Sequence, residues 1–112
     1  MTRLVIVESP CAGDVERNVR YARACLRDCL MRGEAPFASH LLYTQDGVLR
    51  DSDPEERALG IAAGLAWGER ADATVVCTDL GISDGMVKGV REASRHGRLI
   101  EYRQLGADWE TR

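Results

Sequence analysis

With 112 residues, 45% of them apolar and 29% charged, the chain holds material for one globular domain with a modest core and leaves no room for a second. A formal net charge of −3 gives no broad positive field, which argues against nucleic acid as a partner, and the longest apolar runs fall far short of the roughly 20 residues needed to cross a bilayer. The chain reads as one cytosolic domain over residues 1–112, with no membrane partner.

The first apolar run, Arg3 to Val7 (RLVIV), has no apolar/polar alternation and reads as a central strand covered on both faces. Glu8-Ser9-Pro10 ends it, since proline cannot extend a central strand. Asp14 is an N-cap candidate for a helix whose apolar stripe runs Val15, Val19, Ala22, Leu26, Cys29 and Leu30 and which stops near Gly33. Asn18 and Tyr21 flank that stripe beside the loop after the first strand.

Ala35 to Tyr43 (APFASHLLY) reads as a second strand entered through Pro36, with Ser39 and His40 in its middle or toward its carboxyl end. Thr44 to Ser52 is a polar loop placed to overhang a crevice. Asp53 with Pro54 and Glu56 then signals a helix start. Gly60, Gly64 and Gly68 repeat every fourth residue in this helix, each costing about 1 kcal/mol relative to alanine. Such a stripe lets a backbone approach closely, either the sheet or the same helix of a second subunit. With Trp67 as an aromatic anchor, it makes a homo-oligomer the expectation.

Asp72 to Gly97 is the stretch around which the chain is organised. Ala73 to Cys77 (ATVVC) reads as a buried strand, and Ser83 or Asp84 caps a helix carrying Met86, Val90 and Ala93 at helical spacing and ending at Gly97. Gly85 allows close approach to a ligand. Arg98 to Gln104 alternates as an edge strand should, and Ala107 to Arg112 reads as a polar tail. The order β-α-β-α-β-α-β predicts a four-stranded parallel sheet with right-handed crossovers, a three-layer Rossmann-like or flavodoxin-like α/β domain. In such folds ligands bind at the carboxyl ends of the strands.

Of the four cysteines, Cys11, Cys25, Cys29 and Cys77, only Cys25 and Cys29 stand in a regular relation, one helical turn apart. A zinc site needs more ligands at matched spacing, and His40 and His96 lie in different elements. Reduced thiols, no metal and no cofactor are expected.

Glu8-Ser9-Pro10, Asn18, Pro36 with Ser39-His40-Leu41, Asp53-Pro54 with Glu56-Arg57, Ala71-Asp72, Ile82-Ser83 with Gly85-Met86, and Gly97 follow one another in an order that resembles the nucleoside 2-deoxyribosyltransferase-like family, and more closely its small phage and actinobacterial branch. The resemblance runs from Leu4 to Tyr102. It implies a nucleoside or nucleotide ligand at the strand tips and, in active members, a glutamate in the helix after the Ser-x-Gly-Met loop that attacks the anomeric carbon. That position is Gly89 here.

On this resemblance the ligand-binding candidates are Ser9, Pro10, Asn18, His40, Asp79, Ser83, Asp84, Gly85 and Met86. Glu92, one turn beyond Gly89, is the leading candidate for a relocated catalytic carboxylate, with Glu8 and Asp79 as carboxylates at the crevice rim. The first expectation is a protein that binds or sequesters a nucleotide-like ligand without the family's chemistry. An active N-glycosidase or deoxyribosyltransferase and a non-catalytic interaction module are the alternatives.

Overall fold

The computed structural model describes residues 2–111. Four strands, β1 (Leu4–Glu8), β2 (Ala35–Phe37), β3 (Ala73–Cys77) and β4 (Leu99–Arg103), form one all-parallel sheet in the order β2-β1-β3-β4. The helices are α1 (Val15–Met31), α2 (Ser39–Leu42), α3 (Pro54–Gly68) and α4 (Asp84–Arg95). This is the expected parallel α/β architecture. Among the described residues no helix is long and apolar enough to cross a membrane.

β1 and β3 are the inner strands, and all five residues of β3 are buried. Strand alternation divides them between two layers. Val5, Val7, Val75 and Cys77 join Tyr21, Cys25 and Cys29 of α1 in one core, so α1 covers that face. Glu8, one residue on from Val7, must then face the other way, where α4 lies. The chain leaves β1 toward β2 on one side and reaches β4 from β3 on the other, so the switch in strand order falls between the tips of β1 and β3.

Helix caps follow the sequence signals. Asp14 accepts from Arg17 N–H, Asp53 accepts from Glu55 N–H with Pro54 in the first turn, and Ser83, not Asp84, caps α4 by accepting from Met86 N–H. In the loop before that cap, Gly81 takes a φ of 87°, and its N–H bonds Thr78 C=O.

Three expectations are corrected. The strand read over Ala35–Tyr43 stops at Phe37, because β2 pairs only with Leu4 to Ile6 of β1; Ser39 and His40 lie in the short helix α2. Phe37 instead packs its ring on Tyr43 at 6.0 Å and Trp67 at 5.4 Å, and Trp67 Nε1 donates to Tyr43 Oη, which pins α2 to α3. The glycine stripe of α3 faces its own chain rather than a second subunit. A methyl group on Gly60 would meet Leu49, one on Gly64 would meet Ser39 of α2, and one on Gly68 would meet the Arg98 guanidinium. What α3 leaves exposed is a different set, Leu59, Ile61, Leu65 and Trp67.

The third correction concerns the end of the chain, of which Arg112 lies outside the described residues. Trp109 is 7% exposed and starts a single 3-10 turn, its ring edge-on to Tyr21 with centroids 5.0 Å apart. Asp79 anchors this segment: its carboxylate accepts from Tyr21 Oη at 2.5 Å and from the N–H groups of Leu105 and Gly106. Asp79→Ala strips three donors of their acceptor. We expect a loss of about 2–4 kcal/mol in chemical denaturation, with faster amide exchange concentrated at Leu105 to Trp109; unchanged exchange there would contradict the anchoring role.

Candidate functional site

The tip of β1 carries the groups of interest in sequence. Glu8 points to the α4 side, while Ser9 and Pro10, both buried, begin the turn that leads to α1. Asn18 in the first turn of α1 donates from Nδ2 to Ala12 C=O at 2.7 Å, so its amide holds this turn in place from beneath. Position 18 therefore supports the site's backbone rather than facing a ligand with a free amide.

Ser9 meets α2. Its Oγ lies 3.4 Å from His40 Nε2, which joins two candidates that stand 31 residues apart in sequence. Burial lowers the His40 pKa, against a smaller upward pull from the Asp51 carboxylate, so the imidazole is neutral at pH 7. A neutral imidazole offers one donor and one acceptor nitrogen. The Thr44 hydroxyl holds the His40 carbonyl and so fixes the end of α2.

The loop before α3 brings a carboxylate within electrostatic range of this pair. Asp51 acts electrostatically on His40 and also on the Cys11 thiol, which lies at the tip of the turn after β1. The Cys11 pKa is raised by desolvation and by the Asp51 and Glu8 carboxylates, with Arg57 of α3 pulling the other way. A thiol shifted upward is a poor nucleophile. Glu8, Cys11, His40, Asp51 and Arg57 thus share one electrostatic neighbourhood at the carboxyl edge of the sheet.

Glu8 has the least ordinary surroundings. A methyl group on Gly89, in the middle of α4, would come within 2.6 Å of Glu8 Oε1 and closer still to its carboxyl carbon and Oε2. The Glu8 carboxyl thus occupies the space that any side chain at position 89 would need. Among the described residues it has no hydrogen bond or ion pair. Desolvation raises its pKa from 4.5 to about 7, with Arg98 opposing from a distance.

The β3–α4 loop is organised largely around its own backbone. Ser83 Oγ is engaged by Met86 N–H, and Met86 Sδ accepts from Ser83 N–H while its side chain is buried. Asp84 and Gly85 are exposed in the first turn of α4. Glu92 is paired within its own helix, 2.8 Å from His96 Nε2 and 3.4 Å from Arg95. Asp79 belongs to the C-terminal anchor, its carboxylate accepting from Tyr21 Oη and from the N–H groups of Leu105 and Gly106.

Two surface hollows lie away from this cluster. One of about 410 Å³ borders Gly68, Asp72 and Arg98; the other, of about 390 Å³, runs between α1 and α2 past Arg23, Phe37 and Leu41. No cluster of metal-ligating side chains occurs among the described residues.

Sequence reasoning named Ser9 and His40 but could not pair them, and it read Gly89 as a vacancy. Cys11 and Asp51 were missed as neighbours of the site. The one available signal was the Asp-rich loop between Thr44 and Ser52, since polar loops at strand tips overhang crevices.

The fold and the polar cluster define a small parallel α/β domain with its candidate site at the strand-order switch. The chain belongs to the family described as Domain of unknown function (DUF7768), whose family model matches residues 3–103. No curated protein matches it. Among solved structures it is similar to a 2-deoxyribosyltransferase from Bacillus psychrosaccharolyticus, described as a biocatalyst for the synthesis of antiviral and antitumoral nucleosides. The TM-score is 0.66 at 12% sequence identity, over 93% of this chain and 74% of that one. That likeness establishes a shared fold.

Two outcomes follow from Glu8. Alanine at position 89 gains about 1 kcal/mol of helix propensity over glycine, but it can be realised only after the Glu8 carboxyl moves aside. A double-mutant cycle of Gly89→Ala with Glu8→Ala is therefore expected to be non-additive by about 1 kcal/mol, whereas additive values would contradict the contact. The second outcome concerns pH. Glu8 has a folded pKa above its unfolded one, so its favourable contribution is complete below about pH 4.5 and is lost as pH rises through 7. Relative to Glu8→Gln, the native protein should lose about 3 kcal/mol across that window in denaturant titrations. His40 runs the opposite way, its contribution lost as pH falls below 6.5.

Proposed function

We propose that this protein binds a nucleoside or nucleotide at the carboxyl edge of its sheet, between the tip of β1, α2 and the first turn of α4. The observation that carries this reading is the Ser9–His40 pair, assembled from two elements near the switch in strand order and within electrostatic range of Asp51. The shared fold with a 2-deoxyribosyltransferase is consistent with a ligand of that class.

In this reading the Ser9 hydroxyl and the neutral His40 ring meet sugar hydroxyls or base edges, and Pro10 shapes the wall. Ser83 to Met86 bring the α4 backbone close, with Gly85 leaving room. Asp84, exposed in the first turn, disfavours a phosphate placed directly there and suits a sugar hydroxyl. Holding the ligand, in a regulatory or sequestering role, requires nothing beyond these groups.

The buried free thiols Cys25, Cys29 and Cys77 fit a reducing, cytoplasmic setting. Self-association, if the chain forms a homo-oligomer, would use the exposed Leu59, Ile61, Leu65 and Trp67 of α3, since its glycines are occupied within the chain.

Thermal denaturation with common nucleosides and their 5′-monophosphates tests the reading. A ligand at 100 times its dissociation constant stabilises the fold by about 2.7 kcal/mol. Ser9→Ala and His40→Ala should each weaken the binding by roughly tenfold. No shift with any of these compounds would contradict the proposal.

A further inference from the structure

The outer side of α1 carries a charge pattern that neither the fold nor the strand-tip site uses. Arg20, Arg23 and Arg27 follow one another at steps of three and four, so they form one row along the helix, and all three are exposed. None of them takes part in an ion pair among the described residues, although the chain as a whole is acidic at −3. Neighbouring charges are engaged elsewhere: Arg17 faces Glu110 at 3.5 Å, and Asp28 answers Arg32 at 2.9 Å. Glu16 stands at the start of the same side, but Arg23 and Arg27 have no acid three or four residues away on α1. Like charges at this spacing repel one another and weaken the helix, a cost that carboxylates from outside the chain would remove.

Beside this row lies the hollow of about 390 Å³ between α1 and α2, in whose lining Arg23 and Gln45 join Leu26, Phe37, Leu41 and Leu42. Leu26 and Leu30 each follow an arginine of the row by three residues, and Leu30 is exposed, so an apolar strip runs alongside the positive one. From Arg20 to Arg27 the row covers about 10 Å, two turns of helix. We propose that this face docks an acidic amphipathic helix of a partner protein, its apolar residues seated in the hollow and its carboxylates on Arg20, Arg23 and Arg27. The surface is separate from the Ser9–His40 pair, and the proposal does not rest on the nucleoside reading.

Charge and shape together select this occupant. A helix laid in a groove presents apolar anchors on one side at successive turns, and arginine holds carboxylates through its paired N–H donors. An anionic bilayer is met by apolar side chains that protrude from a helix face. Here Leu26, Phe37 and Leu41 are half-buried and line a concavity, which suits side chains arriving from a partner. Duplex nucleic acid would use the arginines and leave the hollow unfilled, and the net charge of −3 opposes its approach.

The test is fluorescence anisotropy with a labelled synthetic peptide of about 18 residues, long enough to form a helix, carrying Leu and Phe at helical spacing on one face and Glu on the face beside it. The native protein is expected to bind this peptide at micromolar concentrations, and more weakly as salt is raised. Arg23→Glu combined with Arg27→Glu should weaken binding by roughly tenfold or more. A peptide with Lys in place of its Glu residues should recover binding on that variant and not on the native protein. Leu42→Asp, at an exposed position in the lining, should weaken the native pairing by roughly tenfold as well. No binding by the native protein, equal binding of a scrambled peptide of the same composition, or an affinity unchanged in either variant overturns the proposal. Tighter binding to phosphatidylserine vesicles or to duplex DNA than to the peptide overturns it too.

Discussion

The feature on which the rest of the site depends is the meeting of the Glu8 carboxyl with the bare backbone of Gly89. It begins in strand alternation. Because Val5 and Val7 are committed to the α1 core, Glu8 is forced to the opposite face, directly under α4. A helix with any side chain at that point would have to expel the carboxyl or stand farther from the sheet. Met86 and Ala93, three residues before and four after, are both buried and hold α4 down. Glycine is the residue that lets close packing and the carboxyl coexist.

The remaining polar groups at the strand tips fall into two sets. Asn18, Asp79, Ser83 and Met86 direct their bonding capacity at the chain's own backbone or hydroxyls, fixing the turn after β1, the C-terminal segment and the start of α4. Ser9, His40, Asp51 and Glu8 surround the same edge with capacity left over. Across the sheet, Arg103 of β4 grips Glu34, which precedes β2, through two 2.7 Å bonds and Glu101 through a third. Arg3, which also donates to Glu101, and then Arg103 hold the Glu101 carboxyl down to about 2, and Arg103 lowers the Glu34 pKa as well, a network with a structural role.

Much of the fold was legible because it is written locally. The apolar runs of β1 and β3 have no alternation, and the caps at Asp14, Asp53 and Ser83 follow from side-chain oxygens reaching the first helical turn. The errors arose where local signals were neutral. Ser39-His40-Leu41-Leu42 suits a strand or a short helix, and the choice was made by β2 running out of pairing with β1 and by the Phe37, Tyr43 and Trp67 rings. The C-terminal residues read as polar because the partner of Trp109 is Tyr21, 88 positions away by subtraction of their numbers. Gly60, Gly64 and Gly68 were recognisable as a close-approach face, but what approaches is α2, Leu49 and Arg98, which only the fold reveals. For the site the limit was sharper. Ser9, His40 and Glu8 could each be named, yet pairing Ser9 with His40, or setting Glu8 against Gly89, needs the register of elements far apart in the chain.

The most direct measurement is an NMR titration of the Glu8 side-chain carboxyl carbon in the native protein and in Gly89→Ala. The account predicts a midpoint near 7 in the native protein, moving toward the ordinary carboxylate range once alanine pushes the group into solvent. An ordinary midpoint in the native protein, or one that the alanine leaves unmoved, would contradict it.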